Sequence, residues 1–296
     1  GSDVSATAVR HGNRAATFRA RRREMECGAF PYFAASPTGH VDMWLLLLRY
    51  TVGWTVLFYA VVCAVAILQR AGCAMQPSSK PHENSAFVLA QGIGCTAKSL
   101  LVSTMGIYVI WSHWDETHQS HFGCSDLAFT AGLLFGSFEI MDLCTSFLHN
   151  MLSAIKCIHH AVHVGIGLIM MYHSGPHYST AVLLAQDLSS VPLCLYLLFR
   201  HRYPNHPSIV ALYAVFTVTF VAVRILLGTW GTYYYITHYQ GQLVDVEARL
   251  FPAWQAHLLA AALVAGSMMQ FAFFSQVVSN GLRMLRRPEV SQGKAE

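Results

Sequence analysis

Apolar residues occur in long runs, broken by short polar connections, and the runs do not alternate with period two. Seven stretches stand out: 50–68, 87–111, 126–148, 154–172, 178–199, 207–230 and 252–278. Each can cross a hydrocarbon layer of about 30 Å, which takes roughly 20 helical residues. Backbone polar groups find no water partners there, so a spanning segment must satisfy them internally; without the ten-residue alternation of a barrel strand, helices are the reading. Arg49 cuts the first run, which places it at the interface with 42–48 as a helical lead-in. The connections "SHWDETHQSHFG", "SGPH" and "RHRYPNHP" are short and imply antiparallel neighbours. "GTWGTYYYITHYQ" has the aromatic content of a membrane interface. The pattern predicts an all-α fold, a polytopic transmembrane helix bundle of six to seven spans. It divides into a basic polar N-terminal tail (1–41), one membrane domain (42–285) and a polar C-terminal tail (286–296), with no internal repeat.

Composition agrees. The chain is 54% hydrophobic and 11% charged, against about 25% charged in soluble domains, which excludes an ordinary globular surface. The net charge of +4 gathers at the two ends. Arg10, Arg14, Arg19, Arg21, Arg22 and Arg23 at one end, and Arg283, Arg286 and Arg287 at the other, are candidate contacts for anionic headgroups or a protein partner. Nucleic acid is not an expected partner. With seven spans the basic tails fall on opposite sides, so the positive-inside bias nearly cancels. Residues 4–23 are Arg-rich and free of acids, which fits an organelle targeting segment or a solvated basic tail. The eight cysteines form no CxxC pair, so neither a disulfide framework nor a metal site is expected; Cys73 and Cys124, in loops, are the candidate exceptions.

Ionisable residues inside the spans change the picture most. "FEIMDLCTSFLHNMLSAIKCIHHAVHVGIGLIMMY" (138–172) is apolar helix, yet it carries Glu139, Asp142, His149, Lys156, His159, His160 and His163. Lys98, Asp187 and Arg224 stand in other spans. A charge at mid-bilayer costs about 3 kcal/mol on insertion scales and usually faces the bundle interior with a partner. Glu139 and Asp142, three apart, share a helix face and need a cation or a proton, with Lys98 and Arg224 as the available cations. The set reads either as interhelical pairs or as the lining of a polar cavity. Lys156, His160 and His163 fall along one stripe, with His159 about 100° away. No metal-ligand pattern accompanies them; His163 is expected to be a satisfied core histidine, and a histidine here could serve as a general base.

These segments resemble a known family. "GSFEIMDL" (136–143), "IKCIHHAVHVGIG" (155–167) and "AQDLSSVPLCLYLLFR" (185–200) look like the central pattern of TLC-domain proteins, which include ceramide synthases and translocation-associated membrane proteins. "FVAVRI" (220–225) and "MMQFAFFSQVVSNGLRML" (268–285) are similar to its later helices, so the resemblance covers roughly 86–285. It implies that Asp142 matches the family Asp and that His159 and His160 match the paired His. Asp187 stands where the family has Glu. Ser189, Ser190 and Pro192 match a Ser-Thr-Pro run with one residue inserted. It also implies helices around a central cavity that admits a lipid chain, lined here by Lys98, Glu139, Asp142, His163, Asp187, Ser189, Ser190 and Arg224.

Two functional expectations follow. In the first the chain is a non-catalytic, lipid-binding accessory subunit of a larger membrane complex, with the mitochondrial inner membrane favoured. Its motives are an incomplete catalytic signature, with Asp187 the only acid on the following span and Asp142 able to orient a histidine only if spans three and four meet at that depth, an N-terminal segment of targeting composition, and polar tails suited to gripping neighbours. The other is a ceramide-synthase-like N-acyltransferase of the endoplasmic reticulum, with His159, His160 and Asp142 as its catalytic set. No cofactor is expected in either case. Membrane lipids and, in the first, other complex subunits are the partners, with a phospholipid or sphingolipid as the candidate occupant.

Overall fold

A computed structural model describes residues 39–73, 75–112, 126–151, 153–172, 177–204, 206–244 and 253–285. All regular structure among them is helical. The helices are α1 (Gly39–Arg70), α2 (Ala86–Ser112), α3 (Asp126–Leu148), α4 (Ala154–Tyr172), α5 (His177–Gln186), α6 (Ser190–Phe199), α7 (Pro207–Thr219), α8 (Gly228–Val244) and α9 (Ala253–Leu285). A 3-10 turn, Asp187–Ser189, makes α5 and α6 one broken rod, and a π-helical segment, Phe220–Leu227, joins α7 to α8.

Among the described residues six helical stretches are long and apolar enough to cross a membrane: Asp42–Arg70, Ala86–Ser112, Leu127–Leu148, Ser179–Phe199, Pro207–Thr237 and His257–Met284. The chain is thus an all-α polytopic bundle. The expected fourth span, 154–172, is helical, but its described apolar stretch is only Cys157–Leu168. The expected lead-in at 42–48 is helical and continuous with the first span: α1 runs unbroken through Arg49, whose side chain is exposed. Two polar breaks in the broken rod and the π segment have local causes. Pro192 lacks an N–H, and its ring crowds the carbonyl of Leu188, so the backbone tightens into the turn over Asp187–Ser189. The π segment inserts an extra residue per turn and re-aims Arg224.

Helix α2 is the hub, packed on α1, α3, α5 and α6. Gly106 permits this: a Cβ there would lie 2.8 Å from Ala181 O and Ala185 N, so α2 and α5 meet backbone to backbone. Side-chain hydrogen bonds pin other contacts. Trp54 Nε1 donates to Leu134 O (3.1 Å), tying α1 to α3, and Tyr213 OH donates to Val277 O (2.7 Å), tying α7 to α9. At one end the 71–85 connection is clamped onto the 200–206 turn. Ser79 N donates to His201 O at 3.2 Å, and Arg202 Nη2 donates to Glu83 O at 2.5 Å.

Candidate functional site

A cavity of about 1330 Å³ runs through the bundle. Its upper end is edged by His82, Glu83, Arg200 and Arg202, where the 71–85 and 200–206 segments meet. Its middle holds the buried ionisable groups, and beyond them the wall turns apolar at Ala128, Phe129, Ile166 and Leu183. Ile158 and Val162 of α4, and Met269 and Phe273 of α9, line it and are exposed side chains.

One chain of ion contacts and hydrogen bonds crosses the middle. Lys98 Nζ lies 2.7 Å from Asp187 Oδ2 and 3.2 Å from Glu139 Oε1. Glu139 Oε2 meets His160 Nδ1, and His160 Nε2 stands 3.1 Å from Asp142 Oδ2. Gln91 Nε2 donates to Asp142 Oδ1 at 2.5 Å. On the other side Ser190 Oγ donates to Asp187 Oδ1 at 2.9 Å. Arg224 then donates to Ser189 Oγ (2.7 Å) and Ser190 Oγ (3.0 Å). Lys98, Glu139, Asp142 and His160 are each less than a tenth exposed.

Electrostatics explain this arrangement. Lys98 and Arg224 oppose Glu139, Asp142 and Asp187, which leaves one negative charge. Carboxylate oxygens only accept, so two protons must lie between His160 and its two acids. An imidazolium at His160 supplies them and brings the sum to zero. A buried ionic set is tolerable when every member is matched in this way, and costly when one partner is removed.

The histidines therefore divide. His160 is spent: both ring nitrogens are held by carboxylates. His159, one position on, turns to the cavity wall, and its ring meets that of His163 edge-on with centroids 4.1 Å apart. No hydrogen bond among the described residues reaches the His159 ring. His163 Nδ1 is buried without a partner, so the expected satisfied core histidine is instead a cavity group with an open nitrogen. Gln270 Oε1, on the facing α9, is likewise buried and unpartnered.

Lys98, Glu139, Asp142, His159, His160, His163, Asp187, Ser190 and Arg224 all line the cavity. Ser189 does not: it is buried behind the wall, bonded to Gln186 O and Arg224. Its place at the end of the 3-10 turn points it away. Of the two available cations, only Lys98 reaches a carboxylate of α3, because the π segment delivers Arg224 to the serines after Asp187. Arg283 sits exposed in the last turn of α9. Arg10, Arg14, Arg19, Arg21, Arg22, Arg23, Arg286 and Arg287 lie outside the described residues. Sequence reasoning passed over Gln91, Gln270, Arg200 and Arg202. The first two were legible as polar residues within apolar runs, and the arginines stood in the polar connection "RHRYPNHP".

No curated protein and no solved structure matches the chain. A sequence model of the TLC domain matches residues 90–279. That stretch opens one residue before Gln91 and takes in α2 to most of α9, hence every member of the ion chain from Gln91 to Arg224. With well over half of the sequence matched across the elements that build the cavity, the chain belongs to the TLC-domain family of membrane proteins.

Proposed function

We propose that this protein is a lipid enzyme that transfers an acyl group from a thioester to an amine, with the chain held in the central cavity and His159 as the base. The division of labour among the histidines carries this reading. His160 is fixed between Glu139 and Asp142, while His159 presents an unbonded ring to the cavity. A catalytic base must reach the proton it takes and be free to accept it. In the reaction the amine nitrogen attacks the thioester carbonyl as His159 takes its proton. The C–N bond forms, the C–S bond breaks, and the proton passes to the departing thiolate. The expectation of a non-catalytic subunit rested in part on a histidine pair without an orienting acid; Glu139 and Asp142 are such acids for His160, and with both of them on that ring His159 is the histidine left to act as the base. The volume supports a lipid occupant, since drug-sized ligands fill about 300–1,000 Å³ and this cavity is larger. The purified protein, given acyl-CoA and a sphingoid base, should form amide, and His159→Ala should stop it. No amide under conditions where a related enzyme works would sink the reading.

A second reading, an accessory subunit of a larger membrane complex, is favoured by α1. Its most apolar stretch is only 6% buried, and Trp44, Leu48, Val52, Val56 and Ile67 all face outward. Such a face suits a neighbouring helix as well as lipid. Sedimentation of the native protein in gentle detergent decides: stoichiometric partners support the subunit, and the organelle, mitochondrial inner membrane or endoplasmic reticulum, follows from theirs.

A further inference from the structure

The upper mouth of the cavity holds two arginines that the ion chain does not use. Arg202 is 3% exposed. Its Nη2 donates to Glu83 O, but its Nε and Nη1 are buried with no hydrogen-bond partner among the described residues. Arg200 leans its guanidinium over the Tyr196 ring, 5.7 Å from the centroid, and its Nε is also buried and unpartnered. Both residues line the cavity. Leaving a buried donor unbonded costs about 1–3 kcal/mol, and more when the group is charged. Three such nitrogens on two neighbouring guanidiniums are hard to explain as a structural device.

Groups around the mouth offset only part of this charge. Glu83 is the nearby acid, and its carboxylate is engaged: Ser78 Oγ donates to Oε2 at 2.6 Å, and His201 Nε2 lies 3.8 Å from Oε1. Burial, with Arg200 and Lys80 nearby and Glu83 opposing, holds His201 below its ordinary pKa. The histidine is therefore neutral at pH 7, and the positive charge comes from the arginines. Their planar forks suit an oxyanion with several acceptor oxygens.

We propose that Arg200 and Arg202 seat a phosphate group of the molecule that occupies the cavity. The occupant is then an amphiphile that carries a phosphate monoester or diester outside and an apolar chain within. The stretch from Arg200 down to Asp187 is 13 residues, about 20 Å at 1.5 Å per residue. The phosphate thus sits about that far from the ion chain, and the intervening part of the ligand passes His160 and His159. This inference rests on the reading that the cavity takes a lipid, and it names the chemistry of the ligand's polar end.

The test uses the full chain in neutral detergent. Three probes are titrated by intrinsic fluorescence and thermal shift: lysophosphatidic acid, a monoacylglycerol of equal chain length, and inorganic phosphate. Lysophosphatidic acid should bind at least ten-fold more tightly than the monoacylglycerol. Arg200→Gln should abolish most of that difference. This variant gives up the contact with the Tyr196 ring but none of the described side-chain hydrogen bonds, and its own melting point without ligand checks that it is folded. Arg202→Lys, which keeps the charge and loses the fork, should weaken the phosphate probe as well. Equal binding of the two amphiphiles, or an Arg200→Gln variant that still discriminates, overturns the phosphate seat and leaves the lipid cavity standing. Inorganic phosphate as tight as lysophosphatidic acid overturns the amphiphile and assigns the site to a soluble phosphate. Binding of neither amphiphile overturns the cavity reading and this inference together.

Discussion

Replacing Lys98 with Met tests whether the ion chain is a dry, matched unit. Lys98 is 4% exposed and stands 2.7 Å from Asp187 and 3.2 Å from Glu139. Met nearly matches its volume, so packing changes little and charge changes by one. Removing one partner of a buried pair costs about 3–5 kcal/mol, because the other charge is left without compensation. Here two carboxylates lose the same cation, so the upper part of that range applies. If the network were open to water, the loss would be about 0–1 kcal/mol, as for surface pairs. The assay is thermal unfolding in detergent with the double variant Lys98→Met/Asp187→Asn as partner. At roughly 2–4 °C per kcal/mol for a domain of this size, the single variant should melt about 8 °C or more below the parent. The double variant should recover part of that loss, since the carboxylate nearest the missing cation is also neutralised. A shift of about 2 °C or less, or a double variant no better than the two single losses added, refutes the matched-charge reasoning.

The histidines should separate in the same assays. His160→Ala should lower the melting temperature, because Glu139 and Asp142 lose their shared proton donor, whereas His159→Ala should leave it unchanged and abolish amide formation. Gly106→Ala places a methyl 2.8 Å from the Ala181 and Ala185 backbone and should cost about 1–3 kcal/mol as overpacking, read as reduced yield of folded protein and a lower melting point. Gly266→Leu is the contrast: its added Cβ meets nothing within 4 Å and the residue lines the cavity. It should keep stability and reduce the lipid that co-purifies, measured by mass spectrometry. Trp54→Phe removes the 3.1 Å bond to Leu134 O and should cost about 1 kcal/mol. A larger loss would mean that the indole ring, not its N–H, holds α1 to α3.

Hydrophobic runs determined the fold class by themselves, because a bilayer admits few structures and each spanning helix must be apolar over its own length. The same locality let sequence find Lys98, Glu139, Asp142, Asp187 and Arg224, since a charge in an apolar run is costly wherever it points. Partnership was not legible. Lys98 meets residues 41 and 89 positions away, and nothing local fixes which of several helices will face it. Pro192 stood inside the expected span 178–199, and only the tertiary structure showed that the turn before it aims Asp187 at Lys98 and hides Ser189. His159 and His160 look alike in sequence. A rotation of about 100° between neighbours on α4 puts one between two carboxylates and leaves the other free at the cavity. Arg200 and Arg202 read as ordinary loop charges until the fold buried their nitrogens at the cavity mouth. Composition is a property of the chain, whereas a charge's partner and its exposure belong to the surfaces that tertiary contacts bring together.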